Sequence, residues 1–211
     1  MVFNVARGTV DDRSLPVSLY IGSDEYIGGR SNAHRVFAEA QADGVTIQHG
    51  VCTLQVADSP SMIARCAGVA SVFDEEGIPL DQIPTSDDSW ETAASQIGDY
   101  FAQNPNTNAI FMLGPGPAES LNLYIQQAKL KPGQLYATTH DTSPLIFQMI
   151  RDGYLLQTID QQPYMQGFQT IMSLYLYRQY GLRPSGFINT SSVIDQSNLE
   201  SVIKLGEAGY R

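Results

Sequence analysis

Residues able to do chemistry are few in this chain, and their spacing argues against catalysis. The sequence contains no GxGxxG, GxxxxGK[ST] or GxSxG stretch, and His34, His49 and His140 do not form an HExxH pair. The acidic pairs Asp11-Asp12, Glu75-Glu76 and Asp87-Asp88 are adjacent in sequence, and neighbours on a helix do not face one another, so they read as solvated surface. Two cysteines, Cys52 and Cys66, match neither CxxC redox chemistry nor a four-ligand zinc site. No enzyme, metal or cofactor is expected from this inventory. What remains are hydrogen-bonding side chains near the ends of strand-like runs, among them Arg65, Asp141 and Gln161.

The elements that must position them are legible. The 211 residues, 43% hydrophobic and 16% charged, suit one large α/β domain or one domain with part of a second. A net charge of −10 with no Lys/Arg cluster disfavours nucleic acid and anionic membrane surfaces as partners. No apolar run reaches membrane-spanning length, and Met1–Arg7 lacks the features of a signal peptide, so a cytoplasmic location is expected of the sequence as written.

Short β-rich runs alternate with segments of helical period, the pattern of βαβ units and a parallel sheet. Predicted strands cover Val17–Ile21, Val51–Val56, Leu80–Thr85, Ala109–Leu113, Leu135–Thr139 and Leu155–Ile159. Helices are predicted between them, one following Ser59-Pro60-Ser61 and burying Met62, Cys66, Val69 and Phe73, another carrying Trp90, Ala94, Ile97 and Phe101. After the polar stretch Asp160–Pro163 comes a long helix with Tyr164, Phe168, Ile171, Met172 and Tyr175, then a segment Phe187–Ile194 and a last helix. The fold class is α/β, a doubly wound parallel sheet with helices on both faces.

Five stretches, in order, resemble the sugar-specific type I periplasmic binding proteins of ABC transporters, the ribose-binding-protein-like superfamily. Ile21–Asp24 resembles the first crossing between lobes. Cys52 through Arg65-Cys66-Ala67-Gly68 resembles the strand, loop and helix presenting a ligand-binding arginine, and Leu113-Gly114-Pro115 resembles the next strand end. His140–Pro144 resembles the loop with a ligand-binding aspartate, and Thr158–Gly167 resembles the second hinge. The resemblance implies a flavodoxin-like C-terminal sugar-binding lobe over residues 22–160, with 1–21 and 161–211 as remnants of the N-terminal lobe and hinge crossings. It also implies a periplasmic location and a chain lacking most of its first lobe.

Open α/β sheets bind ligands beyond the carboxyl ends of their strands. There the resemblance makes Arg65 a fork of donors for sugar hydroxyls, Asp141 an acceptor, and Gln161 a group that does both. It adds Arg7 as a ligand residue, and His140 as either a stacking residue or a structural one. Asp141 has a second reading as a helix cap. Gly114 stands where ribose binders carry asparagine, and Ala6 where an acidic or amide residue is expected. Cys52 and Cys66 read either as a disulfide, which export would allow, or, the favoured reading, as two core thiols. The expected partners are a monosaccharide or polyol and ABC-transporter membrane subunits. A homodimer or a complementing N-terminal lobe is expected to cover the apolar face of the long helix. Two alternatives are a half-protein with an interaction role and the effector-sensing core of a LacI-type regulator, though no helix-turn-helix is present.

Overall fold

The computed structural model describes residues 2–3 and 19–210. Its main body is a six-stranded sheet built from strand–helix repeats: β3 (Gly50–Leu54), α2 (Pro60–Glu76), β4 (Leu80–Pro84), α3 (Trp90–Gln103), β5 (Ala109–Met112), α4 (Pro115–Ala128), β6 (Tyr136–His140), α5 (Pro144–Arg151) and β7 (Gln157–Asp160). Ahead of these come β1 (Val2–Phe3), β2 (Leu19–Gly22) and α1 (Glu25–Ala42); behind them come α6 (Pro163–Tyr180), β8 (Gly186–Asn189), β9 (Ser192–Asp195) and α7 (Leu199–Glu207). The sheet order is β4-β3-β5-β6-β7-β9, parallel except for β9, which runs antiparallel to β7 at the edge. A second sheet, β1-β2-β8, is parallel throughout.

Period-two alternation divides the core. Val51, Ile110 and Met112 join Ile97, Leu121 and Ile146 on one face, while Cys52, Phe111 and Leu113 join Val36, Val69 and Phe73 on the other. Helices open at the carboxyl ends of the strands under side-chain caps: Asp24 for α1, Ser59 for α2, Ser89 for α3 and Ser143 for α5. One rim of the sheet therefore collects helix N-termini and strand-end loops.

Two sequence expectations change here. The run Phe187–Ile194 is two strands in different sheets, because the polar Thr190-Ser191 lets the chain leave the small sheet and re-enter the large one. Residues 192–207 consequently do not belong with the smaller lobe: Ile194, Leu199 and Val202 are buried in the core of the six-stranded body. The cysteines, favoured as thiols, form a disulfide from β3 to α2 with Cα atoms 6.0 Å apart, since α2 folds back over the strand that precedes it.

Helices α1 and α2 touch backbone to backbone. A methyl group at Gly29 would fall 1.9 Å from the Arg65 carbonyl oxygen, and one at Gly68 would fall 2.0 Å from that of Tyr26. Either Gly→Ala change must push the helices apart, and it is expected to lower unfolding free energy by about 1–3 kcal/mol in urea titrations.

Candidate sugar-binding rim

Arg65 comes from the second turn of α2 and is only 5% exposed, so it is no solvated surface charge. Its Nε donates to Glu25 Oε2 at 2.6 Å, and its Nη1 donates to the Leu113 carbonyl at 2.6 Å, where β5 ends. Asp141 Oδ2 stands 3.9 Å from Nη1. Nη2 makes no hydrogen bond to the described protein, which leaves it as the donor available to a ligand.

Asp141 follows β6 in the left-handed region, φ 68°, a conformation that disfavours a side chain other than glycine. Its amide donates to the Ile159 carbonyl and its carbonyl accepts from Thr158 Oγ1, so neighbouring β7 holds it there. Ser143, not Asp141, caps α5, which removes the capping reading. Gln161 Nε2 donates to Asp141 Oδ1 at 2.5 Å, and the Gln161 carbonyl accepts from Gln166 Nε2 and Thr190 Oγ1. Arg65, Asp141 and Gln161, expected together, do meet at one rim.

Burial sets the electrostatics. Desolvation raises the Asp141 and Glu25 carboxyl pKa values above the ordinary range, with the Arg65 charge opposing in both cases. Glu25 opens α1 and was not singled out in the sequence; its signal was an acidic residue directly after the capping Asp24. Trp90 and Gln55 were also missed. Trp90, first residue of α3, brings its ring edge to Gly116, where an added methyl would fall 2.6 Å from Trp90 Cη2 and 3.2 Å from Gln55 Oε1.

His140 is not a rim residue. It is fully buried beneath α1, its Nδ1 3.4 Å from Asn32 Nδ2, and Asn32 also binds the Thr139 carbonyl and Gln157. As the last residue of β6 it presents no exposed ring face, which favours its structural reading over the stacking one. Arg7 lies outside the described residues. Among the described residues no cluster of His, Cys, Asp or Glu could hold a metal, and no helix is long and apolar enough to cross a membrane.

The periplasmic binding protein domain family matches residues 2–181. The chain belongs to the periplasmic binding protein domain family. It is similar to the xylose/arabinose-binding protein XylF of Sulfolobus acidocaldarius, 30% identical over 166 residues, which are 75% of this chain and 39% of that protein. The chain thus spans about two-fifths of the length of that curated relative. Among solved structures it resembles a carbohydrate transporter from Acidothermus cellulolyticus in complex with myo-inositol, at TM-score 0.81 and 25% identity, covering 100% of this chain and 70% of that one. A carbohydrate transporter solute-binding protein from Agrobacterium radiobacter, in complex with D-arabinose, shares the fold at TM-score 0.76 and 19% identity, over 92% of this chain and 66% of that one.

The His140 environment sets a pH dependence. Burial, and then the Arg65 charge, hold its pKa well below the ordinary value of about 6.5, so below that pH the unfolded chain takes up a proton that the folded chain refuses. The stability contributed by neutral His140 is present above pH about 6.5 and is lost as pH falls from there toward the depressed pKa. Urea unfolding at pH 7 and pH 5 is expected to show a smaller acid-side loss for His140→Gln than for the unaltered chain.

Proposed function

We propose that this chain is the substrate-binding component of an ABC sugar transporter, gripping a monosaccharide or polyol without transforming it. One observation carries the reading: an unpaired guanidinium donor, a carboxylate held in a strained loop and a carboxamide converge at the rim where helix N-termini gather. Together they offer donors and acceptors to adjacent hydroxyls, and Trp90 adds apolar aromatic surface beside Gly116. Relatives solved with myo-inositol and D-arabinose support the ligand class. A periplasmic site of action follows from family membership, and the Cys52–Cys66 bond agrees with an oxidising compartment.

Titration of the ¹⁵N-labelled chain with xylose, arabinose and myo-inositol tests this. Shifts confined to the rim loops are expected for at least one ligand. Asp141→Asn and Gln161→Ala should each weaken it about tenfold or more while the melting temperature holds. No rim shift with any of the three would reject the reading.

A second reading rests on α6. Phe168, Ile171, Leu174, Tyr175 and Tyr180 are between 47% and 67% exposed, an apolar surface of the kind that polypeptide normally covers. We propose that either a first-lobe segment or a second copy docks there. Light scattering across concentrations is expected to show association; a monomer throughout would dismiss the second copy.

A further inference from the structure

Resting on the sugar-binding reading, we infer that Met62 determines specificity, presenting apolar surface where β5 ends and selecting a ligand whose carbon there carries no hydroxyl. The carbonyls of that strand end are already engaged within the protein. The Leu113 carbonyl is taken by Arg65 Nη1 at 2.6 Å and the Gly114 carbonyl by Thr139 Oγ1 at 3.0 Å. Gly114 contributes no side chain, and Pro115 and Pro117 have no N–H, so of the residues Pro115–Pro117 opening α4 only Gly116 keeps a donor. Trp90 crowds that residue.

Met62 fills the resulting gap. Its Cε lies 3.4 Å from where a Gly114 side chain would begin, with Pro117 Cδ at 3.6 Å. It sits three residues before Arg65, so one face of α2 carries both the charged grip and the apolar one. Met62 is half-buried, packed against the core beneath α2 with part of its surface still open. A hydroxyl pressed against the Met62 side chain would lose its water and gain at most a weak thioether acceptor, whereas a CH₂ or CH₃ group loses nothing.

The tightest of xylose, arabinose and myo-inositol is titrated by NMR alongside its complete set of monodeoxy analogues, against the unaltered chain, Met62→Gln and Met62→Leu. With the unaltered chain and Met62→Leu, one analogue should bind as tightly as its parent or tighter, while the others bind about tenfold or more weakly. Met62→Gln should shift preference toward the parent by about fivefold or more against that one analogue. Gly114→Asn is a second route to the same shift, because its extended backbone, φ −173°, and helix-capping position accept asparagine. The inference is overturned if every deoxy analogue binds the unaltered chain about tenfold more weakly, or if neither polar variant moves the ratio. Absence of binding by all three parent sugars instead rejects the sugar-binding reading beneath it.

Discussion

A guanidinium almost withdrawn from water is the constraint around which this protein is arranged. An isolated buried charge costs several kcal/mol, so Arg65 persists only because most of its guanidinium is answered, Nη2 being left for a ligand. Glu25 accepts at Nε, the end of β5 accepts at Nη1, and Asp141 supplies further negative charge. Those partners come from three separate elements, so holding the charge requires α1, the central strand and the β6 loop to be in register at once. The glycine contact of α1 with α2 and the disulfide of α2 to β3 fix the two helices to the sheet beside this charge.

The same logic runs beneath the rim. Asn32 reaches from α1 to the Thr139 carbonyl, to His140 and to Gln157, so the helix is tied to β6 and β7 by buried polar groups that satisfy one another. The strained conformations at Asp141 and Gln162 stand at the edge of this network. A rigid underside lets two loops hold positions that an isolated peptide would abandon.

The strand–helix alternation was plain because hydrophobic period and capping residues agree locally: Ser59-Pro60 starts α2 as expected, and Ile110 and Phe111 alternate as a strand covered on both faces must. Arg65, Asp141 and Gln161 were legible through their order along the chain. What stayed hidden depends on distance in space. Nothing local tells that Glu25 meets Arg65, 40 residues on, or that His140 turns under α1 while its neighbour faces out. The change of sheet at Thr190-Ser191 was lost for a similar reason, since two four-residue strands joined by two polar residues have the period of one.

The chain passes between its two sheets at Ser23-Asp24, at Gln161-Gln162 and at Thr190-Ser191, and these passages are laced together. The Thr190 amide binds the Gly22 carbonyl at 3.0 Å, and its hydroxyl binds the Gln161 carbonyl at 2.7 Å. Three straps fastened side by side share one seam, so the backbone of each is braced by the next. Gln161, which touches both the Thr190 strap and Asp141, ties these passages directly to the rim, so a change at the crossings would be felt where the guanidinium and carboxylate meet.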